Sequence, residues 1–211
     1  MRLHHVAFAL VASVAWATAA AAPGLEAVPE EGGVHVRVEK RGLFSAFAHD
    51  HDFEVTRWHG TADVPGDDPA RATLELFLDA ASLRDREKGL SAGDREKVEK
   101  QTAGPEVLDA AHAPEIVYRA AGATLEPARA GAGADTVRGT LHGKLTLHGE
   151  THPVDATFEA RRDGGAWHVH GKARFRQSEF GMKPFTGAGG TVGVKDEVEV
   201  VFTIGLRAGV T

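Results

Sequence analysis

The sequence predicts an all-β chain of antiparallel strands with one inserted charged helix. Three observations carry this. Apolar residues recur at every second position in six separate runs, glycine- and proline-rich turn signals stand between runs, and one highly charged stretch, 84–101, breaks the period. Period-2 alternation gives each strand a dry face and a wet face, the mark of antiparallel sheet. With 211 residues, 42% of them apolar, and no internal repeat, the chain fits one domain with its own core.

The N-terminus reads as an export signal. Met1-Arg2-Leu3-His4-His5 is a short basic start, Val6 to Ala17 an apolar run, and Ala19 to Ala22 supply small residues for cleavage. The run falls short of the roughly 20 residues that span a bilayer. Proline just after the cut is disfavoured, so cleavage is placed near Ala21. Residues 1–21 are then the signal peptide and residues 22–211 the mature domain, periplasmic or secreted. Cleavage removes one Arg and no acid, taking the net charge from −6 to −7.

The strands follow in order. Val34, Val36 and Val38 alternate with His35, Arg37 and Glu39. Leu74, Leu76 and Leu78 alternate with polar residues, and Phe77 alone spoils that register. Leu141, Leu145 and Leu147 form a third run, and Val154, Ala156 and Phe158 a fourth. Trp167, Val169, Ala173 and Phe175 form a fifth, and Val198, Val200, Phe202, Ile204 and Leu206 a sixth. Turns fall at 65–69, 131–135 and 163–165, the last reading as a hairpin loop. In the charged stretch, Ser91 followed by Asp94 is a helix start, and Gly104-Pro105 ends that helix. The Ala/Gly-rich segment Ala120 to Asp135 reads as a loop.

Composition excludes several functions. A mildly acidic chain with no basic block lacks the phosphate-neutralising surface of a nucleic-acid partner. With no cysteine there is no disulfide framework, thiol nucleophile or Cys-ligated metal. No serine sits in G-x-S-x-G, and there is no H-E-x-x-H, P-loop or dinucleotide fingerprint. Nothing nominates a nucleophile with its base, so the chain reads as no enzyme.

Twelve histidines need an explanation. His35, His142, His148, His168 and His170 run out of phase with their apolar neighbours and read as a solvated strand face. His152 shares the parity of Val154 and points inward. The unusual segment is Ala48-His49-Asp50-His51-Asp52-Phe53, where His49 and His51 share parity with Phe47, Phe53 and Val55. A buried imidazole left unpaired costs about 1–3 kcal/mol. Two readings stand. Either His49 and His51 bind a divalent metal or a ligand's polar head, or they hydrogen-bond neighbouring groups at a strand bend.

The order of motifs resembles the YceI-like family. Asp79-Ala80-Ala81-Ser82-Leu83 resembles a strand end of that family, and Val107 to Tyr118 resembles its L-D-A segment with a following P-x-I. Gly143-Lys144-Leu145-Thr146-Leu147-His148-Gly149-Glu150-Thr151-His152-Pro153-Val154 is the most specific piece. Glu179-Phe180-Gly181-Met182 and Val194-Lys195-Asp196-Glu197-Val198 resemble the last two family segments. The resemblance spans nearly the whole mature chain. It implies a lipocalin-like extended β-barrel, exported, holding a long-chain isoprenoid or other amphiphilic lipid in an apolar lumen. It implies transient membrane contact and a monomer or homodimer. On that reading the lumen residues are Phe47, Phe53, Leu76, Leu78, Leu145, Leu147, Phe158, Val169, Phe175, Val200, Phe202 and Ile204. Alternation alone gives the same residues to a filled core. The alternative function is a divalent-metal-binding periplasmic protein using His49 and His51.

Overall fold

The computed structural model describes residues 24–41, 50–128, 133, 135–187, 189 and 191–209. The expected signal peptide lies outside these residues, as do Phe47 and His49.

Among the described residues, twelve strands and one α-helix follow along the chain. They are β1 (Leu25–Arg41), β2 (His51–Val55), β3 (Trp58–Asp63), β4 (Thr73–Asp79), β5 (Leu83–Asp85), α1 (Ala92–Thr102), β6 (Glu115–Leu125), β7 (Thr136–Leu147), β8 (Glu150–Pro153), β9 (Ala156–Asp163), β10 (Ala166–Arg176), β11 (Thr186–Gly187) and β12 (Val192–Ala208). Eight of them close into a barrel, in the order β1, β12, β10, β9, β7, β6, β4, β3 and back to β1. Every pairing around that ring is antiparallel. Closure leaves no exposed edge in the ring and points alternate residues into one lumen.

β1 extends the barrel by changing partner. Its start pairs with β3 at Leu25↔Ala62. Past an irregularity between Val28 and Gly33, its second half pairs with β2 from Val34↔Val55 to Val38↔His51. β5 then adds to β2, setting Asp85 opposite Phe53. One end of the barrel therefore has a taller wall, and we call it the wide end.

The inward faces alternate as the sequence predicts. Large side chains are seated where the neighbouring strand offers glycine. The Phe202 ring lies over Gly171 and the Tyr118 ring over Gly143, where a Cβ would overlap either ring. These pairs let big residues fill a narrow lumen without straining their rotamers.

Helix α1 starts where expected. The Ser91 oxygen accepts the Asp94 N–H at 3.2 Å, and its hydroxyl donates to the Asp94 carboxylate at 2.7 Å. That hydroxyl, followed by Lys97, holds the Asp94 carboxyl below its ordinary range. No residue of the helix is fully buried, and Val98 is its apolar residue packed against the core, so packing holds it only lightly. Polar contacts to β5 add to that hold: Arg95 donates to the carbonyls of Asp85 and Glu87, and Glu99 accepts the Asp85 N–H at 2.9 Å.

Three expectations are corrected. Ala120–Leu125 belongs to β6 rather than to a loop, because small residues there face large partners such as Leu74, opposite Ala120. A bulge with Gly122 at φ 82° bends that strand. His148 is not on a strand face. With Gly149 it forms the two-residue β7–β8 turn, both at positive φ. Arg84 and Asp85 lie in β5, so the charged stretch is part strand before it is helix.

Candidate ligand-binding site

Among the described residues, the inward side chains line a larger and a smaller cavity inside the barrel. The larger, about 140 Å3, occupies the wide end. The smaller, about 60 Å3, occupies the narrow end. Phe202 on the wall of the first and Phe158 on the wall of the second are both registered on Gly171.

The structure places the expected lumen residues on these two walls. Phe53, Leu76, Leu78, Leu145, Leu147, Phe175, Val200 and Phe202 line the larger cavity, and Phe158, Val169 and Ile204 the smaller. Phe47 is outside the described residues.

Of the 25 residues lining the larger cavity, only Thr102, Tyr118 and Gln177 carry polar N or O atoms in their side chains. Two of the three have partners. The Tyr118 hydroxyl donates to the Val154 carbonyl at 3.1 Å, and Gln177 donates to the Lys195 carbonyl at 2.9 Å. Burial pushes the Tyr118 phenol far above its ordinary range, so it stays neutral. A dry wall of this kind binds apolar groups: an engineered apolar cavity of about 150 Å3 holds benzene.

The wide end is roofed by segments outside the ring. Thr102, Val107, Leu108 and Met182 close over the cavity. Met182 follows the 177–180 turn, whose Phe180 is fully buried edge-on against Phe175 at 5.2 Å and His152 at 5.0 Å. Polar contacts tie the roof down. Lys183 N–H donates to the Glu106 carbonyl at 2.8 Å, and the two His148 ring nitrogens face the Phe180 and Pro105 carbonyls at 3.0 and 3.1 Å. The alternation missed these roof residues because they lie outside the strands, at the end of α1 and in connecting segments; the isolated apolar pair Val107-Leu108 was the available signal.

Beside the roof is a vestibule of about 190 Å3 that shares Val38, Phe53, Thr102, Val107 and Gln177 with the larger cavity. His51 and Phe185 also border it. Phe185 is 44% exposed. His51 stacks on Phe53 at 5.7 Å, and its Nδ1 lies 2.7 Å from Oδ2 of Asp85, whose side chain is fully buried. The other Asp85 oxygen accepts the Glu87 N–H at 2.9 Å. Of the two readings of the His49/His51 segment, a hydrogen-bonded partner is in place for His51. Among the described residues no three His, Asp or Glu side chains converge as a metal site. Sequence reasoning missed Asp85, although it shares parity with Leu83, a carboxylate in an apolar phase.

His35 and His142, on outward strand faces, are held by polar neighbours. His35 meets Asp52 at 3.2 Å, and His142 meets Asp155 at 3.1 Å and Thr124 at 2.8 Å. Phe77 points outward between His59, stacked at 5.1 Å, and Arg119 at 5.5 Å.

Among solved structures the fold is similar to BcnA of Burkholderia cenocepacia, with a TM-score of 0.61 and 18% identity over 83% of this chain and 96% of that one. It is also similar to the YCEI protein of Campylobacter jejuni, with a TM-score of 0.42 and 14% identity over 62% and 70% of the two chains. No curated protein sequence matches. The model of the YceI-like domain matches residues 29–206, and the chain belongs to that family.

Proposed function

We propose that this chain is an exported binding protein that holds a long-chain isoprenoid or related amphiphile for transport, storage or sequestration. The observation that carries the reading is the larger cavity: enclosed by the barrel, almost wholly apolar, and covered by a roof tied down by polar contacts. A core meant only for stability would be filled, since voids forfeit dispersion contacts. Each buried methylene contributes about 0.8 kcal/mol, so a chain of isoprene units supplies enough driving force to offset the entropy of binding. The resting cavity suits about one such unit, on the scale of the benzene-sized cavity. A longer chain therefore enters as the Phe202 ring rotates off Gly171, joining the two cavities.

Native mass spectrometry of the mature protein from the exported fraction tests this. The expected result is an added organic mass that denaturation releases and organic solvent extracts. A bare chain that also refuses added farnesol overturns it.

A further inference from the structure

The vestibule bears on what kind of head the ligand carries. This inference rests on the binding role just described. Asp85 is buried, and its Oδ2 lies 2.7 Å from His51 Nδ1. A carboxylate only accepts, so Nδ1 carries the proton that lies between them. In neutral imidazole the other nitrogen, Nε2, is then an acceptor. No described residue bonds to it, and the ring forms part of the vestibule wall. The ring borders the acidic groove as well, and an acceptor on it calls for a donor on a ligand that reaches it from the vestibule.

The surroundings argue against a charged head. Among the described residues no Asp, Glu, Lys or Arg lines the vestibule. The groove on the other side of His51 holds six carboxylates and three cations. Those cations are already engaged. Arg174 donates to Glu199 at 2.6 and 2.9 Å and holds that carboxyl below its ordinary range. Arg37 lies 3.6 Å from Glu199, and Lys195 pairs with Glu39. A phosphate or carboxylate head would meet net negative charge with no spare cation.

We propose that His51, oriented by Asp85, selects an uncharged head that donates a hydrogen bond: a hydroxyl, as in a long-chain alcohol or a hydroquinone. The oxidised quinone, which offers only acceptors, lacks that donor. Phe53 stacks beneath the imidazole and fixes its plane, so the acceptor is already oriented when the ligand arrives.

The test is a probe series of one tail with different heads, titrated into the full chain at about pH 8, above the ordinary imidazole range. Farnesol, its methyl ether, farnesylamine and farnesyl phosphate serve as probes. One hydrogen bond predicts that farnesol binds about fivefold tighter than the ether. His51→Phe keeps the ring and the stacking, and should bind alcohol and ether alike. Asp85→Asn lets the imidazole take its other tautomer and should also erase the preference. Equal wild-type affinity for alcohol and ether overturns the proposal, as does a preference that survives in His51→Phe. Tighter binding of the phosphate or the amine than of farnesol overturns it too. In all these cases the lumen reading stands. Failure of every probe to bind overturns both.

Discussion

The two ends of the lumen share strands but are finished differently. At the narrow end, Trp167, Ile204, Leu206 and Leu141 fill most of the barrel from its own walls, with Val64, Pro69 and Ala72 of the β3–β4 connection beside them, leaving about 60 Å3. Trp167 is 8% exposed and Ile204 1%, with Arg162 over the indole at 5.7 Å. Arg162 also reaches Asp67, strapping the 65–67 turn to the barrel at 3.1 Å. At the wide end the walls stop short of filling the space, and residues from outside the ring cover it. The narrow end thus depends on packing, whereas the roof of the wide end combines the buried Leu108, Phe180 and Met182 with hydrogen bonds between connecting segments. Packing is cooperative and expensive to undo. Individual hydrogen bonds to exposed segments are not, which suits an end that must open.

Substitution at the narrow end should show the largest effect. Trp167→Ala removes a ring from a filled site and should cost about 3–5 kcal/mol. Urea unfolding would measure it. A loss below about 1 kcal/mol would mean that the narrow end is as loosely filled as the wide one.

The converse change belongs at the wide end. Ala173 is only partly buried because it faces the larger cavity. Ala173→Leu adds methylenes to existing space, so stability should hold or rise by about 1 kcal/mol. Probe affinity should fall at least about tenfold, a loss of about 1.4 kcal/mol. Destabilisation together with normal uptake would show that the cavity is not where the tail goes.

These two sites also show what could be read in advance. Alternation places Trp167 and Ala173 on the same inward face of one strand, and it cannot say that one meets neighbours and the other meets space. That difference depends on how far apart the opposite walls stand, which is set by strand number and by inner glycines such as Gly171. The hydrogen-bonding partner of His51 was equally out of reach. Asp85 lies 34 positions away and becomes adjacent only because β1 changes partner and leaves β2 free to pair with β5. Local pattern recovered the six alternating runs and read the second half of β6 as a loop. Partner exchange, roof and cavity depend on long-range closure, which no local pattern encodes.

The roof should respond to smaller changes. His148→Ala removes both carbonyl contacts and should cost about 1 kcal/mol, allowing for the imidazole's ability to donate to one carbonyl at a time when neutral. Amide exchange at Leu108 and Ala110, whose N–H groups donate to Thr102 and Ala103, should quicken, and probe release with it. Unchanged exchange at those two amides would mean that the roof is held by apolar packing instead.

The smallest effect separates the rim of the barrel from its roof. Asp79 ends β4 at the wide end, accepts from Arg57 at 2.6 and 3.0 Å, and caps the 80–82 turn through the Ala81 N–H at 2.8 Å. The Arg57 hydrogen bond, ahead of the cap, holds its carboxyl below the ordinary range. A carboxyl lowered by folding stabilises the protein fully above its unfolded value, about 3.9, and that contribution is lost as pH falls through the depressed folded value. Both partners are more than a third exposed, so screening limits the gain to a few tenths of a kcal/mol. Asp79→Asn should therefore lower stability slightly at neutral pH and flatten the acid limb of the stability curve below about pH 4. Probe release should not change, because the side-chain hydrogen bonds of Asp79 go to Arg57 and Ala81, in a turn of the barrel, and it does not line the cavity. Faster release in Asp79→Asn would show that rim and roof move together, and the opening unit would then include the end of β4.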